Sequence, residues 1–218
     1  MTKRSLLAMT AAALLAAAPA LAQVSATAAT DLNLRAGPAG NQQILAVIPS
    51  GGEVAVQGCL EAANWCQVNF EGTDGWAYGD YLNATAQDQQ VVVIESRDVL
   101  SLPTVTFAQT AETDGGAGEL SGAATGAALA AALIGGPAAI AAGAALGATL
   151  GDDDPALTFV RSNPVEPVYL DGEVVVGAGV PEGVNMIQVP ETQYSYANVN
   201  GVPVIVNQDR SIVRIIRD

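Results

Sequence analysis

The sequence predicts a mainly β chain in three parts: a small β-barrel or sandwich, a central Ala/Gly helical hairpin and a small C-terminal β-meander. Three observations carry this. Short runs alternating apolar and polar residues crowd residues 24–85, with Gly, Pro and Asn between them. Leu120 to Gly151 has no charged residue and consists mostly of Ala and Gly. Near the C-terminus, Asp171-Gly172 and Asn200-Gly201 each sit between β-prone runs, the strongest short-range signal for a hairpin.

Met1 to Ala22 has the three parts of a secretory signal: Lys3-Arg4, an apolar run over Leu6 to Ala18, and the small-x-small site Ala20-Leu21-Ala22. Cleavage is expected after Ala22. The apolar run is short for a membrane span. The chain carries a net charge of −14 and no histidine. Lys3 is its only lysine, so removing the signal leaves an acidic chain whose cations are all arginine. Such a chain repels nucleic acid, whose binding rests on neutralised phosphates, and is repelled by anionic lipid. The two cysteines of an exported chain point to one disulfide.

In the first module, Asp31 to Arg35 alternates, with Leu32 and Leu34 facing inward. Ile44 to Ile48 is an apolar strand stopped by Pro49-Ser50-Gly51-Gly52. Glu53 to Gln57 and Asn64 to Phe70 alternate again. Glu71 to Gly75 is expected to turn the chain into Trp76-Ala77-Tyr78, and Gly79 to Leu82 closes the module.

Several residues here recur in an order that resembles bacterial SH3 domains over about 28–83. They are Asn33-Leu34-Arg35 with Gly37-Pro38, Ile48-Pro49 with Gly51, Gly58-Cys59 with Trp65-Cys66 and Val68, Gly75-Trp76, and Tyr81-Leu82. The resemblance implies a small SH3-like β-barrel that binds cell-wall peptides or a protein partner without catalysis. It places Cys59 and Cys66 on adjacent strands, where a bridge is geometrically reasonable. Closing so short a loop adds about 2–3 kcal/mol, useful to a barrel with a thin core. The candidate groove is Trp65, Trp76, Tyr78 and Tyr81, with Asn33, Arg35 and Asp80 as polar partners. Each Trp also reads as a core residue, and Arg35 as the partner of an acid.

Residues 86–119 read as a linker with two possible strands, Gln90 to Ile94 and the weaker Pro103 to Phe107. The central stretch 120–151 splits at Gly135-Gly136-Pro137 into two Ala-rich halves. Gly118, Gly122 and Gly126, then Gly143, Gly147 and Gly151, recur at the four-residue spacing of a glycine zipper. Its few large apolar residues supply an insertion term of only about −3 to −4 kcal/mol. Pro137 would break a single span, and either half is too short to cross about 30 Å. A two-helix hairpin is the expected shape, with a lone span or an Ala/Gly linker as alternatives.

Residues 152–218 form the last part. Asp152-Asp153-Asp154 reads as a solvated helix stop, without the spacing of a calcium loop. Tyr169 to Val176 reads as one hairpin about Asp171-Gly172; Tyr194 to Val206 reads as another, and Ser211 to Ile216 as a third strand. Val176 to Val184 (VGAGVPEGV), Val189 to Thr192 (VPET), the Tyr194 to Val206 run and Ile212 to Ile216 (IVRII) together resemble the domain of unknown function family 1236, found in exported alphaproteobacterial proteins. That resemblance implies an envelope location and no established activity. Arg210, Arg214 and Arg217 read either as an anion or wall contact or as solvent-facing charge on an edge strand.

Without histidine, no Ser-His or Cys-His nucleophile system can be assembled. No catalytic residue, metal ligand or cofactor motif stands out. The expected function is that of a non-catalytic periplasmic or cell-envelope protein whose SH3-like module binds peptidoglycan peptides or an envelope protein. The alternative is a membrane-associated structural protein acting through 120–151.

Overall fold

The computed structural model describes residues 23–107 and 154–217. Residues 1–22, where a secretory signal is expected, and the expected helical hairpin 120–151 lie outside the described residues. No described helix is long and apolar enough to cross a membrane.

The first eight strands are β1 (Val24–Ala28), β2 (Leu32–Arg35), β3 (Ile44–Ile48), β4 (Glu53–Cys59), β5 (Trp65–Phe70), β6 (Thr73–Tyr78), β7 (Leu82–Ala86) and β8 (Gln89–Val92). They form one SH3-like sheet in the order β3-β2-β6-β5-β4-β1-β7-β8. The alternation read from sequence supplies its core: Leu32, Leu34, Ile48, Val54, Val56, Val68, Ala77 and Leu82 are all buried. β5 and β6 are joined by the two-residue turn Glu71-Gly72, both at positive φ (50° and 84°). That geometry matches the twist of a hairpin, so β6 starts at Thr73 and the turn is shorter than the expected Glu71 to Gly75. The first three residues of the expected strand Gln90 to Ile94 join this sheet in β8, paired antiparallel with β7, while Ile94 opens a 3-10 turn.

Pro103 to Phe107 is no strand of its own. It makes one parallel bridge, Thr104 to Cys59. Cys59 N donates to Pro103 O at 3.1 Å, and Val105 N donates to Cys59 O at 3.0 Å. The strap lies tightly over Gly58, where an added Cβ would sit 2.6 Å from both Pro103 O and Val105 Cγ1.

The second part opens with a helix, α1 (Pro155–Ser162). This corrects the reading of the Asp run as a helix stop. Asp154 is an N-cap whose side chain accepts from Ala156 N at 2.8 Å, with Pro155 at the first helical position. The remaining strands are β9 (Pro167–Val168), β10 (Ile187–Gln188), β11 (Ser195–Val199), β12 (Val202–Val206) and β13 (Ile212–Ile215). They run β10-β11-β12-β13, with β9 parallel to β11. The β11–β12 hairpin turns through Asn200 and Gly201 at φ 53° and 78°, as the Asn-Gly signal requires.

The Asp171-Gly172 hairpin does not form. Tyr169 to Val176 contains no strand. Glu173, Val174 and Val175 are all buried in succession, so the run does not offer one face to a core and one to water. Arg210 is no edge-strand charge either. Its guanidinium donates to Val180 O and Val184 O, both at 2.9 Å, and to Pro181 O, bracing the 180–184 loop.

Alternation splits the C-terminal sheet between two cores. Ala197, Val199, Val202, Val204, Val206, Ile212 and Ile215 belong to one cluster with the N-terminal core and with Leu170, Val174 and Val175. Tyr196, Ile205, Val213 and Ile216 face the other way and pack under Ala156, Leu157 and Val160 of α1. The two modules therefore share a continuous apolar core.

Candidate functional site

Strands β5 and β6 carry most of the candidate residues. Cys66, Val68 and Ala77 point into the core, and the alternate positions fall on the opposite face. There Trp65 is directly across from Tyr78, and Trp76 from Gln67. Trp65 meets Tyr78 edge to face at 5.2 Å, and Tyr78 lies 6.0 Å from Tyr81. Trp76 meets Phe107 edge to face at 5.5 Å. The strap thus covers Trp76, which is only 5% exposed. Trp65 and Tyr81 are buried as well, while Tyr78 and Asp80 keep partial exposure. Cys59 and Cys66 are joined as a disulfide across the β4–β5 pair.

Asn33 and Arg35 are placed differently. Both are buried beneath the C-terminal module. The Glu173 carboxylate accepts from Arg35 Nε and, at 2.7 Å, from Arg35 Nη2, the side-on fork of a bidentate pair. It also accepts from Asn33 Nδ2 at 3.0 Å and Val174 N at 2.8 Å. Arg35 Nη1 donates to Gly40 O at 2.7 Å and Gln42 O at 2.8 Å. Each of the two charged residues is 1% exposed. Arg35 does pair with an acid, 138 residues further along the chain. The polar end of the expected groove is filled from within the molecule.

The accessible remainder is a rim at the 3-10 turn Gly79–Tyr81. Asn64 Nδ2 donates to Asp80 Oδ2 at 3.2 Å. Burial raises the Asp80 carboxyl above its ordinary range; the Asn64 hydrogen bond opposes this, and Glu95 and Asp171 add to it. The Tyr78 hydroxyl is pushed up to about 12, first by burial and then by Asp80 and Asp171. Tyr81 is raised too, chiefly by burial. The carboxylates of Asp80, Glu95 and Asp171 therefore make this rim electronegative, with Tyr78 as an aromatic wall beside it. Among the described residues no cluster of His, Cys, Asp or Glu is placed to hold a metal ion.

Residues 30–83 match the bacterial SH3 domain family, and residues 159–217 match the family described as Domain of unknown function (DUF1236). The chain joins a bacterial SH3 domain to a DUF1236 domain. No curated protein matches the chain, and no solved structure does.

Sequence reasoning missed Glu173, Asn64, Glu95, Asp171 and Phe107. Glu173 left one usable signal, a lone charge set against the apolar run Val174 to Val176. Phe107 sits in a segment that read as linker. Asn64, Glu95 and Asp171 carry no local signal, because the fold alone brings them to Asp80.

Proposed function

We propose that this is a non-catalytic binding protein of the bacterial cell envelope, whose SH3 domain captures a peptide of the cell wall or of an envelope protein. The observation that carries the reading is the electronegative aromatic rim at Tyr78 and Asp80, left open where Asn33 and Arg35 are closed by Glu173. Its chemistry suits an ammonium group. The cation would sit against Asp80, with Asp171 and Glu95 adding field and the Tyr78 ring offering its face. Trp65 and Tyr81 hold Tyr78 in place from beneath.

The test is retention of the mature chain on purified peptidoglycan sacculi, with envelope extract as a second arm. Retention is expected, with a severalfold loss in Tyr78→Ala and Asp80→Asn. Blocking the amines of the sacculi by acetylation should lower it equally. Absence of retention in both arms, or retention indifferent to both substitutions, overturns the reading.

A further inference from the structure

We propose that the DUF1236 domain holds a second binding site, for the free carboxyl end of a short peptide whose last side chain is apolar. The site is a cleft of about 290 Å³ between α1 and the β11–β12 hairpin. It stands on the C-terminal domain alone and is independent of the SH3 reading.

The cleft exists because the helix is too short for the sheet it covers. Eight helical residues reach about 12 Å, whereas the five residues of β11 extend about 17 Å. Pro164 forbids a longer helix by disfavouring helical geometry at Asn163. α1 therefore shields Tyr196 and Ile205 and leaves the far end of the same face, the register pair Asn198 and Pro203, without helical cover. Val160, Val165, Pro203 and Ile216 give the opening apolar walls. The Tyr196 hydroxyl is committed to Asn163 O at 2.7 Å, which fixes the wall in place.

Two polar groups break this apolar lining. Asn198 Nδ2 donates to Val165 O at 3.3 Å, but its Oδ1 is buried with no hydrogen-bond partner among the described residues. A buried acceptor without a donor is costly, and an incoming N–H would relieve that cost. Arg161, at the last turn of α1, lines the same cleft, is exposed and has no ion pair among the described residues. Its guanidinium fork is shaped for a carboxylate. A peptide terminus supplies all three complements together: an apolar side chain, an amide N–H and a carboxylate. A fatty acid lacks the N–H, and a peptide amide lacks the charge.

The experiment uses the full mature chain, ¹⁵N-labelled, titrated with N-acetyl-Ala-Leu, its C-terminal amide and octanoate. Saturable shifts are expected at residues 160–165, 196–203 and 216 with the free acid. The amide should bind at least about tenfold more weakly. Arg161→Gln, on an exposed position, should weaken the acid by about the same factor and leave the amide unchanged. Asn198→Leu should abolish binding with little change in the thermal midpoint, because the orphaned acceptor is lost together with the long bond to Val165 O. No saturable shift up to about 10 mM, equal binding of acid and amide, or octanoate binding as well as the peptide would each overturn the proposal.

Discussion

Removing the Glu173 carboxylate tests the central contact of the molecule. In Glu173→Ala, Arg35 keeps its charge, since a guanidinium does not deprotonate in a protein. It keeps only Gly40 O and Gln42 O as acceptors, in a site where the wild-type side chain is 1% exposed. Asn33 Nδ2 and Val174 N lose their acceptor as well. Stranding one member of a buried pair costs about 3–5 kcal/mol, a large share of the stability of an ordinary domain. Urea unfolding followed by tryptophan fluorescence and by far-ultraviolet circular dichroism reads the loss. Both tryptophans lie in the SH3 sheet, so fluorescence reports that domain. In the wild type the shared core should give coincident transitions. In Glu173→Ala both should move to lower urea and separate from each other. The double change Arg35→Met with Glu173→Leu should recover part of the loss, because it removes the stranded charge and keeps apolar volume. A cost under about 1 kcal/mol for Glu173→Ala, against the 3–5 expected, would refute the reasoning.

Further outcomes follow from other contacts. Replacing Cys59 and Cys66 by Ser should lower stability by about 2–3 kcal/mol, at the low end for disulfides because the closed loop is short; the same urea curves measure it. Gly58→Ala should push the strap away, since its Cβ would meet Pro103 O at 2.6 Å; a red shift of Trp76 emission, absent in Gly51→Ala, is the readout. Asp154→Ala should cost about 1 kcal/mol through loss of the α1 cap, seen as a lower thermal midpoint. Asp80 supplies a pH dependence. Its folded carboxyl is raised, so its contribution to stability is complete below the ordinary aspartate range and is lost as pH rises through the raised value. Asp80→Asn should therefore flatten the stability profile across the carboxylate range, and an unchanged profile would contradict the assignment.

What the sequence discloses follows from how local each signal is. Strands β2, β4 and β5 were legible because period-2 alternation marks their core-facing residues, although β2 is buried on both faces once Glu173 closes over Asn33 and Arg35; β3 was legible as an apolar run stopped by Pro49. Asn200-Gly201 was legible because a two-residue turn needs positive φ at both places. Asp171-Gly172 carries a similar signal yet makes no hairpin, because Glu173, Val174 and Val175 are all drawn into the contact with the SH3 domain. That contact spans 138 residues, and its only local trace is Glu173 set against the apolar run Val174 to Val176. Trp76 shows the same limit. Its outward place in the alternation marks it as a groove aromatic, and only the fold reveals Phe107 covering it. The helix α1 was available in principle, since Asp154-Pro155 is an N-cap followed by a favoured first residue.

The Arg35–Glu173 pair bears on ligand choice more than on net stability. A buried ion pair roughly offsets its own desolvation, but it penalises every arrangement in which one partner is left alone. An outside peptide that offered a carboxylate to Arg35 would have to displace Glu173. Glu173 is tethered in the same chain, so it competes at an effective concentration of about millimolar or more. It also brings Val174 and Val175 into the shared core with it. A free acid cannot match both advantages. On the binding role proposed above, ligands that approach Arg35 by an anionic end would therefore be excluded while the two domains are docked. Those that present a cation meet Asp80, Asp171 and Glu95 at a rim that docking leaves open, and Asp171 belongs to the docked domain itself. On that proposed role, the DUF1236 domain would act on SH3 ligand choice in two ways: Glu173 fills the site at Arg35 and Asn33, and Asp171 lends a carboxylate to the rim at Asp80.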